Sequence, residues 1–205
     1  MTRLFKTPAL AKWYYSAYEW EGRSSPLYLT FDDGPIPGLT EYVLDLLWEY
    51  KAKATFFCVG DNIRKNPAVF ARVLAEGHQV ANHTYHHLNG AKTPTQAYLQ
   101  NVALCQQLLP AQAVKPLFRP PYGRLTLAQQ KALQNQYRLI MWDVLSYDFD
   151  ARLPPDECWF YSQRNTQPGS IVVFHDNRKA ESSLRYALPR FLAHFSARGF
   201  QFASL

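Results

Sequence analysis

A chain of 205 residues with 47% hydrophobic and 19% charged side chains reads as one ordinary globular domain with room for a sizeable core. Its net charge of +6 comes from lysines and arginines that are scattered rather than massed, which excludes a nucleic-acid-binding arm and leaves a mildly basic surface suited to acidic polymers. No run approaches the roughly 18 apolar residues of a membrane span, and MTRLFKTPALAKWYYSAYEW at the start lacks the continuous apolar stretch of a secretion signal, so a cytoplasmic location is expected.

Residues 1–26 precede the first strand as an extension. The first apolar run, 27–31, then stops at two adjacent carboxylates and a turn, YLTFDDGP over 28–35. A helical pattern over 39–50, a strand at 54–58, a helix over 67–76 and a strand at 79–81 lead to NHTYHH at 82–87. Helices over 93–109 and 126–136 flank a strand at 117–119, which opens into FRPPYG. A strand at 139–142, a helix over 155–165 and the buried run of GSIVVFHD at 171–174 follow. The last helix, 183–198, carries Leu184, Ala187, Leu188, Phe191, Leu192 and Phe195 on one stripe, before a final strand at 201–203. Cys58, Cys105 and Cys158 cannot all pair and fit no metal or disulfide spacing, so they are expected to be reduced and buried.

Strand and helix alternating along the whole chain imply parallel strands with helical crossovers. A closed or nearly closed barrel fits the count, and an open doubly wound sheet is the rival. In either, functional groups collect at the carboxyl ends of strands. Such ends here carry Asp32-Asp33, His83, Arg119, Asp143 to Asp148, and His175.

Adjacent aspartates read in isolation as turn or capping chemistry. If 82–87 is helical, His83 and His87 lie one turn apart on one face and both imidazoles reach one metal ion. Two histidines and a carboxylate make a three-ligand divalent-metal site with an open position. That makes two neighbouring carboxylates tolerable, one bound to the cation and one kept ionised as a base. Pro120 and Pro121 hold Arg119 and Tyr122 on a stiff scaffold, from which the arginine can orient a carboxylate. His175 at a strand end is a third ligand, a general acid or a satisfied core residue; with three ligands already in hand, the acid role is favoured.

Taken together and in order, these segments resemble the polysaccharide deacetylases of carbohydrate esterase family 4, the NodB-homology domain. Thr30 to Pro35 matches the family's T-F-D-D-G-P. His83 to His87 matches its histidine motif, Arg119 to Gly123 its R-P-P-Y-G, Leu145 to Phe149 the place of D-x-x-D-W, and Val173 to His175 that of L-x-H. The likeness runs from Leu27 to Leu205. It implies an α/β fold, a distorted (β/α) barrel of about seven parallel strands. By the same resemblance Asp32 is the catalytic base, Asp33, His83 and His87 are the metal ligands, and His175 is the acid. Arg119 tunes Asp32, and Asp148 supports the acid–base pair. The Tyr122 N–H stabilises the oxyanion, and Trp142, Phe149 and Val173 shape the acetyl pocket.

The implied activity is metal-dependent removal of acetyl groups from GlcNAc-containing glycans, peptidoglycan or chitin-type oligosaccharides, with zinc as the expected ion and cobalt or nickel as substitutes. An amidohydrolase of small non-sugar amides is the alternative, and a non-catalytic glycan-binding module a more distant one, since it should have lost Asp32 or His175. Leu145 and Phe149 depart from the family's aspartate and tryptophan. Asp143 is the nearest substitute for the missing carboxylate.

Overall fold

The computed structural model describes residues 3–22, 24–111 and 114–205. Seven strands, β1 (Tyr28–Asp32), β2 (Ala54–Cys58), β3 (Gln79–Asn82), β4 (Leu117–Phe118), β5 (Arg138–Leu139), β6 (Val144–Leu145) and β7 (Ile171–His175), form one parallel sheet in the order β5-β4-β3-β2-β1-β7-β6. That order is the sequence order taken around a circle and cut between β5 and β6. A distorted barrel has this order; a doubly wound sheet does not.

The helices are α1 (Ala9–Tyr14), α2 (Leu39–Glu49), α3 (Gly60–Lys65), α4 (Pro67–Ala75), α5 (Thr95–Gln106), α6 (Leu127–Leu133), α7 (Pro155–Asn165) and α8 (Glu181–Ser196). Leu29 and Phe31 of β1, Phe56 of β2 and Phe174 of β7 share a core cluster with the apolar stripes of α2, α4 and α8. The alternate residues Tyr28, Phe57 and Ile171 form a second, separate cluster with Ala81, Leu117 and Ile140. The predicted stripe of α8 is the buried face, and each fully buried Leu or Phe there contributes about 1.5–3 kcal/mol. Pro189 inside α8 cannot donate to the Arg185 carbonyl, and the Tyr42 hydroxyl donates to that oxygen instead, at 3.4 Å.

Two expectations need correction. The run 201–203 is not a strand: it makes one bridge, between Leu27 and Phe202. The seventh strand is Val144–Leu145, whose two apolar residues are too few to show a period. The segment 82–87 is not helical either. After Asn82 the chain leaves β3 and runs as a loop in which Thr84 (φ 63°) and His87 (φ 54°) are left-handed. Side chains satisfy its backbone: Asn82 Oδ1 accepts the Thr84 N–H, and Asn101 Oδ1 accepts those of Tyr85 and His86.

The segment before β1 covers the seam. Lys6 pairs with Val144 on the β6 side and Glu19 bridges Ile140 on the β5 side. Between them, Lys6 and Lys12 both reach the fully buried Asp143 carboxylate, which also accepts from Ser170 Oγ at 2.5 Å. The three cysteines are free and buried. Among the described residues, no helix is long and apolar enough to cross a membrane.

Candidate active site

The carboxyl ends of β1, β3, β4 and β7 meet at a cleft of about 600 Å³. Asp32, Asp33, His83, His87, Tyr122, Trp142, Phe149, Val173 and His175 line it, with Leu145, Asn62, Asn177 and Lys179. Arg119 and Asp148 stand behind this wall, each bonded to a residue that lines it.

Asp32 ends β1 and is 4% exposed. Its Oδ1 accepts from Arg119 Nη1 at 2.6 Å, and the same nitrogen donates to Thr30 Oγ1 at 2.8 Å. The arginine is fully buried, with its second Nη on the Met141 carbonyl and its guanidinium 4.0 Å above the Phe57 ring. A buried carboxylate is tolerable here because a fixed, paired cation meets it. Oδ2 is left facing the cleft, 4.0 Å from His83 Nε2.

Asp33 lies in the left-handed region at φ 85°. Its carbonyl accepts from Asn62 Nδ2 at 2.7 Å, and its Oδ2 from Asn177 Nδ2 at 2.5 Å. Among the described residues, Oδ1 is buried with no hydrogen-bond partner and lies 3.0 Å from His87 Nε2 and 3.5 Å from His83 Nε2. One ligand atom from each of the three residues lies within 4.8 Å of the others. His83 Nδ1 is 2.8 Å from the Arg119 carbonyl, which only accepts, so Nδ1 carries the hydrogen and Nε2 keeps its lone pair. An orphaned oxygen and two convergent imidazoles are the donor set a divalent cation takes.

His175 closes β7. Its Nδ1 donates to Asp148 Oδ1 at 2.7 Å, and its backbone N–H donates to Asp148 Oδ2, also at 2.7 Å. Burial opposes the imidazolium. The Asp148 carboxylate outweighs it, with help from Asp33 and Asp32, and the pKa rises to about 9. Phe149 packs edge-on against this ring, 4.8 Å between centroids.

Tyr122 is left-handed (φ 59°), its N–H makes no main-chain hydrogen bond among the described residues, and its ring lies 4.7 Å from that of His87. A side chain at Gly123 would run into the Trp142 indole, so the glycine of PYG lets the tryptophan approach.

Residues 21–140 match the family model described as polysaccharide deacetylase. A peptidoglycan-N-acetylglucosamine deacetylase of Bacillus cereus is 32% identical over 194 residues, 93% of this chain and 91% of the relative. The chain belongs to the polysaccharide deacetylase family. A chitooligosaccharide deacetylase of a Bradyrhizobium species is 34% identical over 157 residues, 73% of this deacetylase-family chain and 70% of its own. In space the chain is similar to a peptidoglycan N-acetylglucosamine deacetylase solved in complex with 4-naphthalen-1-yl-N-oxidanyl-benzamide, with a TM-score of 0.86 and 30% identity over 97% of this chain and 95% of the other.

Against the family pattern, Leu145 sits where a carboxylate is usual and lines the cleft. Asp143 does not replace that carboxylate, because it is engaged by Lys6, Lys12 and Ser170 at the seam. His86 turns away, its Nδ1 2.8 Å from Asn101 Nδ2. Sequence reasoning missed Asn62, Asn177 and Asp176. The first two orient Asp33. Asp176 is wholly buried with no cation within ion-pair distance among the described residues, and burial pushes its carboxyl up to about 7. Its position directly after His175, in FHDN, was the one available signal.

Proposed function

We propose that the chain hydrolyses the acetamido groups of GlcNAc-containing glycans, of the peptidoglycan or chitooligosaccharide kind its relatives are named for, using a divalent metal ion that is zinc by preference. The observation that carries the reading is the convergence of three elements on one cleft: a carboxylate backed by arginine, a histidine backed by aspartate, and the Asp33–His83–His87 donor set. Two imidazoles and one carboxylate suit zinc, and cobalt or nickel would also fit.

Zinc held by Asp33, His83 and His87 would supply a Lewis acid for the acetamide carbonyl and for the attacking water. Asp32 takes the proton of that water on Oδ2, since Arg119 occupies Oδ1. The Tyr122 N–H is the donor for the oxygen on which negative charge develops. His175, protonated through its tie to Asp148, delivers its proton to the nitrogen, which must leave as an amine. Trp142, Leu145, Phe149 and Val173 give the acetyl group and sugar an apolar wall.

The test is acetate release from N-acetylated chitooligosaccharides and from peptidoglycan, with metal-stripped protein before and after zinc, cobalt or nickel is restored. Metal-dependent release that disappears in Asp32→Asn supports the proposal. No release from either glycan by protein that binds one zinc per chain overturns the substrate assignment.

A further inference from the structure

We propose that Asp176 is a positioning residue for the metal-ligand turn, its buried carboxylate setting the direction in which Asp33 presents Oδ1. The inference rests on the metal reading above. Asp176 Oδ1 accepts the Gly34 N–H at 3.0 Å, and Oδ2 accepts the Thr40 hydroxyl at 2.5 Å. Thr40 Oγ1 in turn accepts the Ile36 N–H at 2.8 Å. The backbone N–H of Asp176 donates to the Asp32 carbonyl at 3.2 Å. One wholly buried residue thus grips the turn that follows β1 at its entry, and through Thr40 in its middle and where it joins α2.

That turn needs such a grip. Asp33 adopts a left-handed backbone, which an aspartate holds only when its surroundings over-determine it. Asn177 fixes its Oδ2, and Asn62 holds the carbonyl side of the peptide that joins it to Gly34. Asp176 holds the other side of that peptide through the Gly34 N–H. The same contact accounts for the glycine. Gly34 is not among the residues of positive φ, so no left-handed backbone demands it. A Cβ built there would overlap the Asp176 carboxylate. Glycine stands at position 34 because the carboxylate comes in against the backbone.

A merely structural Asp176 would affect stability and leave metal binding alone; a positioning residue moves the affinity. The experiment measures zinc affinity by chelator competition on the full chain, with the thermal midpoint recorded beside it. Asp176→Ala is expected to weaken zinc binding roughly 10- to 100-fold, the range typical of residues that orient metal ligands. Asp176→Asn keeps an acceptor for the Gly34 N–H and should bind close to the unaltered chain. Gly34→Ala should weaken binding in the unaltered background and add nothing in the Asp176→Ala background, where the space is vacated.

Should Asp176→Ala fail to fold, Thr40→Val and Gly34→Ala carry the same comparison. A lowered midpoint with unchanged zinc affinity in Asp176→Ala, or the same extra loss from Gly34→Ala in both backgrounds, overturns the inference and leaves the metal site standing. An unaltered chain that binds no zinc overturns the metal reading itself.

Discussion

Asp32 and His175 are register partners across β1 and β7, so a carboxylate and an imidazole leave neighbouring strand ends on the same side of the sheet. Parallel neighbours lie only about 4.8 Å apart. Groups that close perform opposite tasks only if their environments push them apart. Asp32 is backed by a buried cation and His175 by a buried anion, the contrast on which the proposed base and acid roles rest.

Removing the base should show in turnover before it shows in binding. Asp32→Asn keeps the shape and is expected to lower kcat by about 10²–10⁴-fold with little change in KM. Arg119→Ala acts on both stability and rate, because it leaves Asp32 buried without its cation. A loss of about 3–5 kcal/mol in denaturant melts is expected.

The pH dependence follows from the Asp148–His175 pair. The imidazole pKa is raised from 6.5 to about 9, so the acid is fully protonated below about 6.5 and activity falls as pH rises through about 9. The stability this pair contributes has the same sign: present below the unfolded value, lost on the way up through the folded one. Asp148→Asn removes the group that overcomes the burial penalty. The alkaline limb of kcat/KM should move to lower pH, and an unmoved limb would sink the acid assignment.

Metal removal should be visible in stability without any substrate. A ligand that binds only the folded chain adds about 2.7 kcal/mol at a free concentration one hundred times Kd. Zinc at that level should raise the melting midpoint of the unaltered chain and leave His83→Ala and His87→Ala unmoved. The shift should fade at acid pH, because metal binding releases protons.

The seam offers an asymmetric test. Lys6→Ala with Lys12→Ala strands a fully buried Asp143 carboxylate, whereas Asp143→Asn strands only two lysines that reach water. The double lysine variant should be the less stable in urea melts, by a margin on the order of 2 kcal/mol. Thr7 holds the Trp142 carbonyl at 2.8 Å, so both variants should also raise KM.

The sequence foretold β1, β2, β3 and β7 closely, because their continuous apolar runs lie between turn residues, and α8, because its stripe has the helical period. β6 stayed hidden: Val144 and Leu145 sit between Asp143 and Ser146, and their pairing with β7 is a long-range choice no local pattern records. Asp32, Asp33, His83, His87, Tyr122, Trp142, Phe149, Val173 and His175 of the cleft were named beforehand, but His83 and His87 were brought together for the wrong reason. A spacing of four suits a helix, yet the structure uses a loop held by Asn82 and Asn101 side chains. Side-chain grips of that kind leave no period. Asn62, Asn177 and Asp176 escaped notice for the same cause.

The segment that covers the seam also dictates an order of events. Lys6 and Lys12 meet Asp143 across 137 and 131 intervening steps of chain, and β1 waits for β7 at a similar remove. On a ribosome, Lys6 and Lys12 therefore meet Asp143 only after the long stretch of chain between them has been made. Such distant pairings are slow to form. The aromatic segment that holds the two lysines must stay soluble through that interval, with Trp13 and Tyr14 still open to water when it ends.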